Sequence, residues 1–483
     1  MPALEPLARQ MTGGSALAGL QSTLRPRPGF GPFAPASRPS TTVPAAGLLH
    51  MTITFSAGHA TPRAMPSTSP TNPRKAAELF PRALTALALT SSVLAFGCSD
   101  SRDGAPAGGD GSDPVYAVMS QVIDADGDRK VYVGLRKSLD FDQFSLDDTR
   151  EYSGVANIAG IGGRLFLSDG EQPLITQYAV TDELEWVEQG RIGFQDYPLD
   201  DNANFFGQFP IDDHTMYLTF GSSRIVWDPM KLEIKEVLED SAIEETSGNL
   251  SLSAAGNHSS LRYSGDALQA FFYHDEDWYD FGTTSAIAVY DRETHAEKEV
   301  IEGPCPGLAV NSMDEQGNTY FSAWDYTPLF ALYGVGPAPC VVRVRKDGKL
   351  DESFETDLSS LTGGRHLMNF RYVRDGWGFA DVLHHELLDA DFDGELDPTV
   401  LDQIWEGEAF KLWRIDLANG SAEPYEDVGA SGMGWRTQTV DGRTYLFVPS
   451  TDWTSTTVFE LDAAGAATKL MDVQGDVSWI RIR

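Results

Sequence analysis

The chain has 483 residues and a formal net charge of −35, which comes from 36 Lys and Arg against 71 Asp and Glu. This excess of acid excludes a conventional nucleic-acid-binding surface, because phosphate backbones require clustered cations. Hydrophobic residues make up 41% of the chain and exclude global disorder, since they can form a large packed core. The charge is uneven: residues 1–97 hold eight basic and two acidic residues, and the remainder holds 28 basic against 69 acidic residues, a net charge of −41.

The first 97 residues have the character of targeting sequence and not of a folded domain. Residues 1–64 are rich in Pro, Ala, Ser, Thr, Gly and Arg without sustained periodicity, so we interpret them as a disordered extension or as a translated region upstream of the true start. After Met65, a basic segment leads into the uncharged apolar stretch 83–97. This stretch has the length of a signal-peptide h-region and is shorter than the roughly 20 apolar residues of a membrane-spanning helix. Residues 65–97 are therefore predicted to be a signal peptide.

The end of the apolar stretch resembles the signal of bacterial lipoproteins, in which a small residue precedes a lipidated cysteine. Here Gly97 precedes Cys98, although Leu94 lies four residues before the cysteine where the family prefers three. An ordinary cleaved signal is the alternative. Residues 98–113, rich in Gly, Ser, Asp and Pro, suit a flexible linker. We therefore expect a cell-envelope lipoprotein, placed in the outer membrane by the sorting rule for Ser99 and attached to the membrane through its N-terminal lipid only.

Short alternating strands separated by turn signals dominate the sequence from residue 114 onward. One strand type recurs as Arg164–Leu167, Met216–Thr219, Thr319–Ser322 and Thr444–Phe447. A second type follows it and often ends in Asp, as in Arg224–Asp228, Ile287–Asp291, Leu412–Asp416 and Val458–Asp462. Repeated units of about 40–60 residues with several antiparallel strands are typical of a β-propeller.

Residues 114–483 are therefore predicted to form an all-β domain, a β-propeller of seven blades. Radial stacking buries the faces of neighbouring blades and leaves only short edges exposed. A tandem pair of β-sandwiches is the alternative. The seven units are expected at about 114–152, 153–198, 199–242, 243–302, 303–358, 359–427 and 428–483, of which the first and fourth are the least regular.

The chain contains three cysteines, Cys98, Cys305 and Cys340. If Cys98 carries a lipid, the other two can pair in an oxidising compartment outside the cytoplasm. Both lie in Pro- and Gly-containing loop sequence within one unit, so we predict a disulfide between Cys305 and Cys340. Two buried thiols are the alternative.

An acidic loop in the sixth unit is a candidate calcium site. Asp389, Asp391 and Asp393 stand at positions one, three and five of the loop, Gly394 at position six, and Asp397 at position nine. This spacing resembles the start of an EF-hand loop, in which carboxylates converge on a hard cation and the glycine permits a sharp turn. Position twelve is not the bidentate Glu of that motif, and a solvated acidic loop is the alternative.

The sequence contains no signature of a common catalytic site. It lacks the Gly-x-Ser-x-Gly nucleophile elbow and the Gly-rich phosphate loops. His384 and His385 are adjacent, so on a strand they point to opposite faces and cannot share a metal without a bend. No zinc spacing surrounds them, and we interpret both as ordinary histidines.

The order of features is similar to that of the MxcI-type envelope lipoproteins of myxobacteria. The similarity includes the lipoprotein signal, the acidic linker, and the segments 115–135, 160–180 and 477–483. It implies a propeller anchored at the cell envelope with a role in siderophore-dependent iron uptake, beside an outer-membrane receptor. Ferric catecholates are anionic, however, and a net charge of −41 repels them at long range unless a local basic cluster intervenes.

Three functions follow as hypotheses. The first is a lipid-anchored envelope propeller that binds a small-molecule ligand or a protein partner, such as an outer-membrane receptor, and does not act as an enzyme. The second is a calcium-dependent propeller hydrolase of the lactonase or phosphatase kind. The third is a purely structural surface lipoprotein. Convergent carboxylates on the propeller axis would favour the enzyme.

Overall fold

The computed structural model describes the chain from residue 113 onward, with gaps. The described residues are 113–123, 129–139, 145–153, 158–169, 172–197, 208–240, 242–244, 246–254, 260–261, 266–275, 281–323, 326–390, 392, 396, 398–432, 436–450 and 452–483. The predictions for the signal peptide, the linker and Cys98 lie outside these residues, as do Asp391, Asp393 and Asp397 of the acidic loop.

Twenty-nine strands carry the fold of the described residues. The first fourteen are β1 (Tyr116–Ile123), β2 (Arg129–Arg136), β3 (Arg150–Ser153), β4 (Ile158–Ile161), β5 (Arg164–Ser168), β6 (Leu174–Val180), β7 (Trp186–Gly193), β8 (Gln208–Asp212), β9 (Thr215–Phe220), β10 (Ser223–Asp228), β11 (Glu233–Glu239), β12 (Thr246–Ser247), β13 (Leu250–Ala254) and β14 (Ser260–Leu261). The other fifteen are β15 (Asp266–His274), β16 (Phe281–Asp291), β17 (Glu297–Gly303), β18 (Leu308–Met313), β19 (Thr319–Ala323), β20 (Val341–Val344), β21 (Leu367–Arg374), β22 (Trp377–Leu383), β23 (Phe410–Asp416), β24 (Ser421–Pro424), β25 (Arg436–Val440), β26 (Arg443–Pro449), β27 (Ser455–Leu461), β28 (Ala467–Gln474) and β29 (Asp476–Arg481). Two α-helices, α1 (Thr327–Leu332) and α2 (Pro398–Glu406), and three 3-10 turns at Leu146–Asp148, Leu358–Thr362 and His385–Leu387 complete the described elements.

The strands form seven small antiparallel sheets arranged in a ring, so the fold is a seven-bladed β-propeller. Blade 1 contains β29-β1-β2-β3, blade 2 contains β4 to β7, and blade 3 contains β8 to β11. Blade 4 has six strands, β12 to β17, blade 5 has β18 to β20, blade 6 has β21 to β24, and blade 7 has β25 to β28. The predicted fold class and blade number are confirmed, and the tandem β-sandwich alternative is wrong because the sheets do not pair into sandwiches.

The last strand of the chain closes the ring. The expected seventh unit ran to the C-terminus, but β29 leaves blade 7 and pairs with β1 of blade 1, with Tyr116 opposite Arg481 and Val118 opposite Trp479. The physical reason is that, if β29 stayed in blade 7, the inner edge of β1 in blade 1 would have no strand to pair with. Pairing the two ends of the domain satisfies that edge.

Burial distinguishes the inside of the ring from its rim. In β11, the last strand of blade 3, five of seven side chains are exposed, whereas in β29, five of six side chains are buried. Strands β7 and β28 are also mostly exposed or partly exposed, and β4 and β18 are mostly buried. In the blades to which these strands belong, the first strand is therefore on the inner side of the ring and the last strand is at the solvent-exposed rim.

Two helices thicken one part of the ring. Leu329 of α1 and Ile404 of α2 are fully buried in one apolar cluster with Phe321 of blade 5 and Met368 of blade 6. Cys305 lies in the same cluster and forms a disulfide with Cys340, with 5.5 Å between the two Cα atoms. In the described part of the chain, no helix has both the length and the apolar character needed to cross a membrane.

Candidate binding site at the propeller axis

An arginine whose guanidinium has no hydrogen-bond partner among the described residues lies on the innermost strand of blade 6. Arg371 is in the middle of β21, and its side chain is partly accessible to water. Burial among protein atoms lowers the pKa of Arg371 to about 10, although the nearby charge of Asp381 opposes that effect. Among the described residues, the side chain of Arg371 makes no hydrogen bond or ion pair. A partly wet, enclosed guanidinium with free donors is suited to hold an anionic group.

A carboxyl group lies on the same face of the blade. Asp381 of β22 is 6% exposed, and its Oδ2 accepts a hydrogen bond of 2.8 Å from the Asn369 side-chain amide. Arg371 is opposite Phe379 in the register, and Asp381 is two residues beyond Phe379, so Arg371 and Asp381 are diagonal neighbours on one face. Burial raises the pKa of Asp381 to about 7, although the Asn369 hydrogen bond and the Arg371 charge oppose that rise.

An irregularity in the strand pairing sets the position of these side chains. The register between β21 and β22 shifts between Met368 and Arg371, which is a β-bulge. Asn369 in this bulge has a φ of 54°, in the left-handed region that Asn tolerates better than most residues. The bulge therefore turns the Asn369 amide toward Asp381 and moves Arg371 into its place on the axial strand.

The inner edge of β21 is anchored to the preceding blade. Ser322 Oγ accepts a hydrogen bond of 2.8 Å from the Phe370 backbone N–H, and Ser312 Oγ accepts one of 2.7 Å from the Tyr372 N–H. These hydroxyls satisfy backbone donors that would otherwise face the axis unpaired. The anchoring holds the strand on both sides of Arg371, so the guanidinium is presented from a rigid element.

A second polar cluster lies at the end of β22. His384 Nδ1 is 3.0 Å from Glu386 Oε1, and Arg365 donates to the same carboxylate at 2.9 Å. The Trp413 indole N–H donates to His384 Nε2 at 3.1 Å. Burial acts to raise the pKa of Glu386, but a backbone hydrogen bond and the hydrogen bonds from Arg365 and His384 outweigh it and lower the pKa to about 2. Because both ring nitrogens of His384 are engaged, this histidine has no lone pair free for a metal.

The residues that the sequence singled out lie in different parts of the fold. The Cys305–Cys340 disulfide is in the core beside the helices. Asp389 is exposed, and its backbone N–H donates to Gln403 Oε1 at 3.0 Å, which joins the start of the acidic loop to α2. Within the described residues, no group of three or more His, Cys, Asp or Glu side chains is placed to hold a metal ion. None of these residues contacts Arg371 or Asp381 through a hydrogen bond described in the structure.

Sequence reasoning missed the axial cluster, although one signal was available. Asp381 stands in the strand Trp377–Leu383, in which every other side chain is uncharged and all are buried. A carboxyl at a buried strand position requires a partner or a shifted pKa, and so marks a candidate site. The partner Asn369 and the neighbour Arg371 could not be assigned, because the bulge changes which residues of β21 share the face of Asp381.

No protein-family model matches the chain, and no curated protein matches it. Among solved structures, it is similar to the periplasmic gluconolactonase PpgL of Pseudomonas aeruginosa, at 12% identity and a TM-score of 0.47 over 76% of this chain and 100% of that one. A quinoprotein alcohol dehydrogenase-like protein of Bacteroides thetaiotaomicron matches at 12% identity and a TM-score of 0.42 over 77% and 79%. The β-propeller domain of the Trilobed protease of Pyrococcus furiosus matches at 11% identity and a TM-score of 0.39 over 75% and 95%. Nothing about the activity of this chain follows from these likenesses.

Proposed function

We propose that the chain is a cell-envelope binding module whose propeller holds a small anionic molecule at its axis. The observation that carries the proposal is the guanidinium of Arg371, which lies beside the buried Asp381 but makes no hydrogen bond or ion pair with any side chain or backbone group that the structure describes. An arginine that protein largely encloses is normally held by hydrogen bonds to an anionic group, since its charge is costly to remove from water. A bound anion would supply the missing partner.

The overall charge restricts the kind of ligand. A net charge of −35 repels polyanions at long range, so the site favours a small molecule with a single negative group over a nucleic acid or an anionic polymer. At short range, an arginine in a low-dielectric space attracts such a group much more strongly than one in water. The positive charge of Arg371 therefore attracts the ligand at short range, although the negative charge of the whole protein repels it at long range.

The binding proposal is tested with Arg371→Met, which keeps the length of the side chain and removes its charge. Arg374→Met is the matched control, because Arg374 is on the same strand but is exposed. Calorimetric titration with sodium benzoate and sodium lactate should detect binding to the wild type and to the control. Arg371→Met should lose at least tenfold in affinity, which corresponds to loss of a charge-assisted hydrogen bond. Equal affinities in all three proteins would overturn the proposal.

The envelope setting is part of the same proposal. Lipid at Cys98 and the linker 98–113 would place the propeller at the membrane surface, and the MxcI-type resemblance makes siderophore-dependent iron uptake, beside an outer-membrane receptor, its proposed role. Mass spectrometry of the mature protein should find diacylglycerol on Cys98. Cys98→Ser should abolish membrane attachment without affecting folding. An unmodified chain that begins at another residue would remove the lipoprotein from the proposal.

A calcium ion in the acidic loop is a separate proposal. Asp389 begins the loop, and its backbone is fixed by Gln403 of α2 at 3.0 Å. Oxygen ligands from alternate aspartates suit a hard cation. Calorimetry with CaCl2 should give a binding heat that disappears in the double variant Asp389→Ala with Asp391→Ala. Asp347→Ala, in an exposed turn of blade 5, is the control. A heat that is unchanged in the double variant would remove the site.

A hydrolase of the lactonase kind is the second candidate function, and Asp381 is the observation that favours it. A carboxyl with a pKa of about 7 can accept and release a proton near neutral pH. The neighbouring guanidinium of Arg371 could stabilise an oxyanion. Hydrolysis of γ-butyrolactone and p-nitrophenyl acetate by the wild type, and loss of at least a hundredfold in rate in Asp381→Asn, would support this function. If the wild type hydrolysed these substrates no faster than Asp381→Asn does, the hydrolase function would be ruled out and the binding function would remain.

A further inference from the structure

The geometry around Arg371 points to a more specific ligand class, and this inference rests on the proposed binding function. We infer that the axial site takes up a small organic carboxylate together with one proton, which resides on Asp381. In this arrangement, the guanidinium of Arg371 binds one carboxylate oxygen of the ligand. The protonated Asp381 donates its O–H to the ligand, and the Asn369 amide holds the other oxygen of Asp381.

Hydrogen bonding leaves one oxygen of Asp381 available. Oδ2 accepts from the Asn369 amide at 2.8 Å, and Oδ1 has no partner among the described residues. Asp381 is 6% exposed, so its ionised form has little water to solvate it. A carboxyl with one fixed oxygen and one free oxygen can donate from the free oxygen when it is protonated. The free oxygen and the free guanidinium are on the same face of the blade.

Two carboxyl groups in one enclosed site favour sharing a proton. If Asp381 were ionised, a bound carboxylate would meet a like charge in a poorly solvated space, and one of the two groups would be driven to protonate. If Asp381 is protonated, the site carries the single positive charge of Arg371 and has both a cationic donor and a neutral donor. This combination discriminates a carboxylate from a neutral ligand and from a dianion.

Other charged groups near Asp381 are already engaged or face away. In the described part of the chain, Arg371 is the charged group that acts on the titration of Asp381. Arg414 of β23 is on the same face, opposite Phe379, but it donates to Asp416 at 3.2 Å. Lys411 is opposite Val382 and therefore lies on the other face of blade 6. The proton balance of the site is thus set by Arg371, Asp381 and the ligand.

The coupling has a definite sign. Raising the pH from 6 to 8 ionises Asp381, whose pKa is about 7. Binding that requires the protonated form should therefore weaken about tenfold over this interval. At pH 8, binding of one benzoate should take up close to one proton from the buffer. The proton uptake is measured by calorimetry of the full-length chain in HEPES and in Tris, because these buffers differ in ionisation enthalpy.

The variants separate this inference from the proposed function. Asp381→Asn keeps a neutral group of the same shape, so benzoate should bind it equally well at pH 6 and pH 8 with no proton uptake. Glu386→Gln, in the second polar cluster at the end of β22, is the control and should keep the wild-type pH dependence. Thermal unfolding of each variant checks its fold. If Asp381→Asn fails to fold, the wild type can be used instead. The carbon-13 chemical shift of the Asp381 carboxyl, followed by NMR from pH 5 to 9 with and without benzoate, shows whether Asp381 becomes protonated when benzoate binds.

Three outcomes are informative. Loss of binding in Arg371→Met together with loss of proton uptake in Asp381→Asn would support the inference. Binding that requires Arg371 but is equally tight at pH 6 and pH 8 would overturn the coupled carboxylate–proton inference and leave the proposed function in place. Binding of benzoate that does not depend on Arg371 would overturn both.

Discussion

The indole N–H of Trp413 donates a hydrogen bond of 3.1 Å to Nε2 of His384, and this contact fixes the tautomer of the histidine. An indole N–H can only donate, so Nε2 must be the accepting nitrogen and Nδ1 must carry the proton. The Nδ1–H then donates to Glu386 Oε1 at 3.0 Å. Burial lowers the pKa of His384, and Glu386 opposes that effect. His384 is therefore held neutral between one donor and one acceptor.

Removing the donor should make His384 easier to protonate. In Trp413→Phe, Nε2 loses the N–H that occupies it and can accept a proton instead, so the pKa of His384 should rise above its wild-type value. The measurement is the pH dependence of the His384 imidazole signals in NMR spectra. Trp377→Phe is the matched control, because Trp377 is on the same blade and its ring N–H has no partner among the described residues. An equal pKa in both variants would contradict the assigned tautomer.

Strand patterns predicted the blades well because each blade is a local meander. The segment Arg224–Asp228, chosen for its alternation and terminal Asp, lies within β10 (Ser223–Asp228), and Thr444–Phe447 lies within β26 (Arg443–Pro449). Neighbouring strands pair through short turns, so the information that places them is close in the sequence. This is why the fold class and the number of blades could be predicted.

Contacts between distant parts of the chain could not be predicted in the same way. The pairing of Tyr116 with Arg481 joins the two ends of the domain, and no local pattern specifies it. The candidate site depends on the bulge at Asn369, which changes the face on which Arg371 lies. A single bulge reverses the alternation of side chains between the two faces of a strand, and sequence analysis infers side-chain direction from that alternation. The site therefore required the structure, whereas the blades did not.

A buried ion pair in blade 3 contacts blade 4 through Tyr290. Arg224 is fully buried, lies 3.4 Å from the ring centroid of Tyr290, and is 3.1 Å from Asp240. Asp240 also accepts a hydrogen bond of 2.8 Å from the Tyr290 hydroxyl. Asp240→Asn should destabilise the fold by about 3–5 kcal/mol, because it leaves the Arg224 charge uncompensated in the interior. Urea unfolding followed by tryptophan fluorescence measures the change in unfolding free energy.

The neighbouring residue offers a control for that ion pair. Glu239 accepts a hydrogen bond from Ser223 at 2.8 Å on the exposed side of the same hairpin. Glu239→Gln should change the unfolding free energy by less than about 1 kcal/mol, since exposed polar pairs contribute little. If Asp240→Asn and Glu239→Gln had equal small effects, the pair of Arg224 and Asp240 would not stabilise the contact between the blades.

The Cys305–Cys340 disulfide should contribute to stability through the unfolded state. The two cysteines are 35 residues apart in the sequence. A cross-link over a loop of this length lowers the conformational entropy of the unfolded chain and so stabilises the folded state by about 4 kcal/mol. The double variant Cys305→Ala with Cys340→Ala should therefore unfold at lower urea concentration than the oxidised wild type. Wild type treated with dithiothreitol should approach the midpoint of the variant. A midpoint that reduction leaves unchanged would contradict a stabilising role.

Closure of the ring through β29 should be essential for folding, and Trp479 is the residue that tests it most directly. Trp479 is fully buried and packs edge-on against Tyr445 and Phe447, with ring centroids 5.0 and 4.7 Å away. Trp479→Ala should cost about 3–5 kcal/mol, because it leaves a large cavity between blades 1 and 7. Val187→Ala, at a side chain that is 50% exposed on the rim, should stay within about 0.5 kcal/mol of the wild type.

Removal of residues 476–483 should abolish cooperative unfolding altogether, as measured by calorimetry, since it opens the first blade. A truncated chain that still unfolds in one sharp transition would show that the seam does not hold the ring together.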